Sequence, residues 1–316
     1  MESERTGLLA FHFCLDMVTK EDIIKGLRTL GLRPGDGVVV HSSLSSFGRV
    51  EGGADTVVDA ILEVIGPEGT LVVPTFNYEP EVFDPQETPS VVGAITEAVR
   101  KRPNAIRSKH PTHSVAAIGR LADVIVEDHE KVHPFGRGSA LFKLLQANGK
   151  ILQLGTDMTT CSMVHVAEEI AEVPYLDRQR NVAIKLPNGQ TVRRWVRRPG
   201  CSQGFGVLED VLRERGQLIE TTIGKCRARM CKARDLVQAA LDMLRTDPES
   251  LLCKRPDCGS CAEARAMIAA RQTEAQDREV TELSEQEEQT IRLIEKKFED
   301  VTIEPFEIAK GDHQPN

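Results

Sequence analysis

The chain has 316 residues, enough for one large α/β domain or two ordinary ones, and 40 lysines and arginines against 48 aspartates and glutamates give a formal net charge of −8. That balance and an aromatic content of 4% argue against a nucleic-acid binder, which needs a basic face and stacking rings. No apolar run approaches the roughly 20 residues of a membrane helix, and the first twenty residues lack the apolar stretch of a signal peptide. A cytoplasmic enzyme is the expectation, and the eight cysteines read most simply as free thiols.

In chain order, Thr19 with Asp22 caps a helix carrying Ile23, Ile24, Leu27 and Leu30, which Gly31 ends before the turn Arg33-Pro34-Gly35-Asp36. Val38-Val39-Val40 is a wholly apolar strand of the kind buried in a parallel sheet. A polar loop from His41 to Gly53 leads to a helix from Asp55 to Ile65, a turn at Gly66-Pro67-Glu68-Gly69, and a strand at Leu71-Val72-Val73. This is a βαβ unit. The alternation continues with a helix over 91–100, a strand over 114–118, a helix over 139–146, a strand over 151–154 and a helix over 163–173 that Pro174 stops. Asn188-Gly189 between two alternating runs, 182–186 and 191–196, marks a hairpin. Helices follow over 206–215 and 232–244. Residues 273–301 lack Gly and Pro and carry a thin apolar stripe, so they read as a long exposed helix for docking or dimerisation, or as a frayed tail. There is no internal repeat.

Four constellations can carry chemistry. The loop His41-Ser42-Ser43-Leu44-Ser45-Ser46-Phe47-Gly48 leaves a strand's carboxyl end and runs into a helix; hydroxyls, amides and a helix start suit an anionic group, though an ordinary polar loop reads equally well. It is neither a Walker loop nor a Gly-x-Gly-x-x-Gly turn. His110-Pro111-Thr112-His113-Ser114 precedes a strand and is a structural loop before it is a metal pair. In Cys161-Ser162-Met163-Val164-His165-Val166-Ala167-Glu168, His165 and Glu168 share a helix face. By spacing alone the readings rank as an exposed ion pair, a general-base dyad, a metal site with His110 and His113, and a Cys161–His165 nucleophile pair. Last, Cys226-x4-Cys231 and Cys253-x4-Cys258-x2-Cys261 resemble a zinc knuckle without a clean second half, so free thiols come first and a structural zinc second.

The order of these motifs resembles the aminoglycoside 3-N-acetyltransferases. The resemblance rests on Gly31-Leu32-Arg33-Pro34-Gly35-Asp36, Val40 to Gly48, Gly52-Gly53-Ala54 and Gly69 to Phe76. It continues through His110 to Ala116, Pro134 to Ser139, Leu154-Gly155, Ser162, His165-x-x-Glu168 and Ala233 to Val237. It covers roughly residues 20 to 265. It implies an α/β fold distinct from the general N-acetyltransferase fold, with a mostly parallel central sheet, helices on both faces, a hairpin insertion and a C-terminal helical extension. A single domain would then span 1–271, with a charged extension over 272–316.

The resemblance further implies acetyl transfer from acetyl-coenzyme A to the 3-amino group of a 2-deoxystreptamine antibiotic, conferring resistance, or to a related amine. His165 would be the base and Glu168 its support. His41, Ser42, Ser43, Leu44, Ser45, Phe47, Gly48, His110, Ser114 and Phe135 would hold coenzyme A, with no metal at the site. A polycationic acceptor calls for acids, and Asp157, Glu169 and Glu172 cluster near the dyad; Tyr78 is placed with them as substrate-binding. A homodimer is an open option, and neither nucleic acid nor membrane is expected as partner. Two rival readings remain: a hydrolase working through His165 and Glu168 or Cys161, and a zinc-stabilised interaction protein.

Overall fold

The structure, a computed structural model, describes residues 17–78 and 80–280, with side chains to residue 273. In chain order the elements are β1 (Met17–Val18), α1 (Lys20–Thr29), β2 (Gly37–Ser42), β3 (Arg49–Val50), α2 (Gly53–Ile65), β4 (Thr70–Pro74) and α3 (Ala94–Arg100). Then come β5 (Ile106–Arg107), β6 (Val115–Gly119), α4 (Ala122–Val126), α5 (Ala140–Gln146), β7 (Lys150–Leu154) and α6 (Met163–Ile170). The hairpin strands β8 (Gln179–Lys185) and β9 (Thr191–Arg197) precede α7 (Val207–Glu214), β10 (Ile219–Ile223), β11 (Cys226–Lys232), α8 (Ala233–Thr246) and α9 (Gly259–Val280).

Seven strands form one sheet in the order β10-β11-β7-β2-β4-β6-β5. The apolar runs identified in the sequence are its centre: β7, β2 and β4 pair in parallel, with Val38 opposite both Lys150 and Leu71. On either side the pairing turns antiparallel, β11 against β7 and β6 against β4. The α/β class and the helices on both faces therefore hold, but the sheet is mixed rather than mostly parallel. One reason is local: only Gly224 and Lys225 separate β10 from β11, and so short a link joins antiparallel strands alone. The other is that the connection from β4, through α3 and β5, brings β6 back in the opposite sense.

Side chains alternate along each central strand and so build two cores. Val38, Val40, Leu71, Val73, Leu152 and Leu154 face α1, α2 and α3. Val39, Val72, Ile151, Val115 and Ala117 face α4 through α8. The helix starts follow the sequence signals: the Asp22 amide donates to Thr19 Oγ1 at 3.2 Å, and the Thr19 amide donates to Asp22 Oδ2 at 3.0 Å. The helix expected over 163–173 ends earlier, at Ile170, because Glu172 takes a left-handed φ of 51°.

The Asn188-Gly189 hairpin forms as a separate two-stranded sheet, tied to the body where Phe83 bridges Ile184. α9 runs continuously across the position where a C-terminal extension was placed. The helix read over 273–301 lies, from residue 281 onward, outside the described residues. Among the described residues no helix is long and apolar enough to cross a membrane.

Candidate active site

The three parallel strands end at one edge, and the chain leaves them in opposite senses: β2 continues to β4 on one side, while β7 joins on the other. Crevices in α/β sheets open at such a switch point. Here a cleft of about 600 Å3 is bordered by His41 and Ser42 from the end of β2, Pro74 and Phe76 from β4, and Thr156 after β7. His165 and Ser162 come from the start of α6, and Arg180 and Arg197 from the hairpin.

His165 is buried, and its Nδ1 lies 2.6 Å from Glu168 Oε2. The carboxylate's other oxygen accepts the Tyr175 hydroxyl at 2.9 Å. An ionised Glu168 takes the proton of Nδ1 in a hydrogen bond, so the neutral ring presents Nε2 as its basic atom. The imidazole is held between rings: Phe135 stacks on it at 5.1 Å between centroids and Phe205 meets it edge-on at 4.9 Å. Burial and Glu168 raise the Tyr175 phenol above its ordinary pKa, keeping it a donor. The spacing of His165 and Glu168 was readable; an exposed ion pair, the plainest alternative, is excluded by their burial. Tyr175 was missed, because it lies beyond the Pro174 stop and no spacing template connects it to Glu168.

The rival readings of this stretch fail on geometry. Cys161 borders the cleft but is fully buried, and burial pushes its thiol up to about 12, so it holds no thiolate at neutral pH. His110 accepts the backbone amides of Thr112 and His113 on its Nδ1, at 3.4 and 3.0 Å. Among the described residues the histidines do not form a group able to hold a metal.

The residues assigned to coenzyme A divide. His41, Ser42 and Phe135 border the cleft. Ser43 precedes, and Leu44 and Ser45 open, the short helical turn Leu44–Phe47 beside it, where the Ser43 and Ser45 hydroxyls bond at 3.2 Å. Phe47 is the last residue of that turn and anchors it in the core, and Gly48 caps the turn at φ 84°. His110 and Ser114 do not border the cleft. Ser114 Oγ donates to the Thr75 carbonyl and accepts from Arg107 Nε, and His110 lies against His129; they form the layer that supports His113, which does border it.

Among the described residues, two of the buried side-chain polar atoms without a hydrogen-bond partner belong to residues of this cleft: His41 Nε2 and Ser42 Oγ. Burial alone lowers the His41 pKa to about 4, so its ring is neutral. Unpaired buried polar groups are costly and point to a bound group that completes them.

The acids expected to receive a polycation sit elsewhere. Asp157 is occupied in capping the turn Met158–Thr160. Glu169 and Glu172, with Asp177, border a neighbouring pocket of about 630 Å3 beyond Arg197. Arg197 lies 2.8 Å from Asp177 and 3.5 Å from Glu169. The main cleft itself is bordered by Arg180, Arg197, Arg198 and Arg255 and by no acid among the described residues. Tyr78 is on its rim, with its ring against Phe76 and His113. The arginines were missed as site residues because the sequence pattern placed Arg180 and Arg197 on a hairpin, Arg198 just after it and Arg255 among the cysteines, with nothing to join them.

Residues 39–245 match the family described as aminoglycoside 3-N-acetyltransferase. The chain belongs to that family. Its relatives include aminoglycoside N(3)-acetyltransferase IV from a Salmonella species, 32% identical over 233 residues that make up 72% of this chain and 88% of the relative. The fold is similar to that of a mutant of aminoglycoside acetyltransferase AAC(3)-IVa in complex with a gentamicin, with a TM-score of 0.74 at 31% identity, over 80% of this chain and 98% of that one. It is also similar to AAC-IIIb in binary complex with CoASH, with a TM-score of 0.68 at 27% identity, over 73% of this chain and 97% of that one.

Proposed function

We propose that the chain transfers the acetyl group of acetyl-coenzyme A directly to an amine of an aminoglycoside, the 3-amino group of 2-deoxystreptamine, with His165 as general base. The carrying observation is the buried Tyr175–Glu168–His165 relay at the edge of a basic cleft. An amine attacks a thioester only once it has lost its proton. His165 Nε2 takes that proton; the nitrogen–carbonyl bond forms, the carbon–sulfur bond breaks, and the thiolate leaves with coenzyme A. Glu168 stabilises the resulting imidazolium and is itself held by Tyr175. His41 Nε2–H and the Ser42 hydroxyl, both without protein partners, are the donors available to the thioester oxygen as it gains charge. The arginines of the cleft complement the phosphates of coenzyme A.

The acceptor's ammonium groups are assigned to Glu169, Glu172 and Asp177 of the neighbouring pocket, which Lys131, Arg137, Arg197 and Arg271 also border. His165 and Glu169 share a small pocket with Phe135 and Arg197, and Glu169 and Arg197 also border the pocket of Glu172 and Asp177, so Glu169 links the surroundings of the base to that pocket. Tyr78 would close the outer rim. Asp157, engaged in its cap, contributes through the turn it holds.

The test is release of free thiol from acetyl-coenzyme A with gentamicin or apramycin as acceptor, alongside His165→Ala. Turnover in the wild type and its loss in the variant are expected. Thiol release that is independent of the acceptor would make the protein a thioester hydrolase instead. An acetyl group trapped on Cys161 would overturn direct transfer.

A further inference from the structure

The sequence places Cys253, Cys258 and Cys261 near one another but gives no fourth partner. The fold supplies it from a distance of 52 positions. The sulfurs of Cys201, Cys253, Cys258 and Cys261 all lie within 4.8 Å of one another, three of the residues are buried, and none is in a disulfide. Cys226 and Cys231, the other half of the sequence pattern, lie on β11 and take no part. We propose that these four cysteines bind one structural Zn2+ as a tetrahedral tetrathiolate, a site independent of the acetyl-transfer reading.

Four sulfurs around a zinc ion at about 2.3 Å stand roughly 3.8 Å apart. The observed arrangement is already within about an ångström of that. The backbone is arranged as it is around bound thiolates. The Gln203 amide donates to Cys201 Sγ at 3.5 Å, and the amides of Cys261 and Cys253 reach the sulfurs of Cys258 and Cys261. A Zn2+ with four thiolates carries a net charge of −2 by simple addition, and the Arg255 guanidinium lies against the Cys258 sulfur. A donor set of four soft sulfurs and no oxygen selects zinc over magnesium or calcium.

The ion would join two segments, one around Cys201 and one from Leu251 to Cys261, that pack together here. Gly204, next to the first cysteine's turn, packs so tightly on the backbone of Leu251 to Cys253 that a Cβ would collide with it. Cys201, Cys258, Gly200 and Ser202 border the catalytic cleft. Gly200 also packs on the ring of Tyr175, whose hydroxyl holds Glu168. The metal therefore fixes the cleft wall that backs the relay without touching the reacting atoms.

Full-length protein produced with zinc in the medium should contain stoichiometric zinc by plasma mass spectrometry. The four thiols should resist a thiol reagent until a chelator is added. Cobalt-exchanged protein should show the intense sulfur-to-metal absorption and tetrahedral ligand-field bands of a tetrathiolate. Cys201→Ser should weaken zinc binding by about ten-fold or more, whereas His165→Ala should keep full zinc. The cobalt spectrum of the unmutated protein serves if the cysteine variant fails to fold. Zinc-free protein whose four thiols react at once, a disulfide among them, or iron as the native metal would each overturn the proposal.

Discussion

At the scale of single residues, the site depends on a relay in which each group fixes the next. The Tyr175 hydroxyl donates a hydrogen bond to Glu168, Glu168 fixes the tautomer of His165, and two phenylalanine rings fix the plane of the imidazole. His165→Ala should lower kcat by about 10²–10⁴-fold while leaving coenzyme A binding near normal, measured by thiol release and calorimetry. Glu168→Gln should cost less, because the imidazole remains. Tyr175→Phe should cost less again, removing one hydrogen bond to a charged group, which is typically worth about 1.5–3 kcal/mol. If His165→Ala keeps most of its turnover while His113→Ala abolishes it, the base is the wrong histidine. Glu169 tests the acceptor assignment. Glu169→Gln should raise KM for the aminoglycoside several-fold and leave KM for acetyl-coenzyme A unchanged; the reverse ranking would place the acceptor in the arginine-bordered cleft.

At the scale of elements, the β2 loop and the end of β7 approach each other closely. Gly155 sits at φ 71°, and a Cβ there would collide with the Ser46 side chain, which anchors the helical turn through the Ser43 carbonyl at 2.7 Å. Gly155→Ala should therefore displace the Ser43–Ser45 turn. The expected outcome is a rise in KM for acetyl-coenzyme A together with a loss of about 1 kcal/mol or more of stability from the left-handed backbone alone. An unchanged KM would remove that turn from the coenzyme site. What was legible at this scale followed from simple patterns. Val38-Val39-Val40 and Leu71-Val72-Val73 could only be buried strands, and the Asn188-Gly189 hairpin formed where its turn required. What was missed lacked such a signal. β10 and β11 read Ile-Glu-Thr-Thr-Ile and Cys-Arg-Ala-Arg-Met-Cys-Lys, and Arg227 and Arg229 hide the alternation. Their charges are paired with Glu220 and Glu209 across the strand and from α7, so the arginines are compatible with a sheet position. The Gly224-Lys225 link between the two runs was the available clue. His110 and Ser114 were assigned to the cofactor from motif position, and only the fold shows Ser114 Oγ and His110 Nδ1 already bonded inside the protein.

At the scale of the whole molecule, four buried histidines besides His165 are held neutral. Burial lowers His41 and His129 to about 4. His110 and His113 are held well below 6.5, by burial first and by neighbouring histidines second. The reason is plain at His129. Its Nε2–H donates to the Pro134 carbonyl at 2.9 Å, and its Nδ1 accepts the Ser108 hydroxyl at 2.9 Å, while Ser108 Oγ accepts the Val115 amide. Protonation would remove that acceptor and leave a charge inside the core. In the unfolded chain these histidines gain protons near pH 6.5, whereas in the folded protein His41 and His129 refuse them until about pH 4. Between those limits the unfolded state binds more protons, so stability is complete above pH 6.5 and falls as pH falls through the window. His41 and His129 would each contribute about 3 kcal/mol to that fall, large against the roughly 5–15 kcal/mol that hold a domain together. Carboxylates do not confuse the window: Glu97, lowered to about 2 chiefly by its hydrogen bonds from Arg100, loses its contribution only below about pH 4.5. Urea midpoints measured from pH 7.5 to 4.5 should hold steady to about pH 6.5 and then drop steeply, and His129→Gln should make that drop shallower whatever its own cost in stability. A midpoint that stays level down to pH 5 would show that the buried imidazoles accept protons in the folded state.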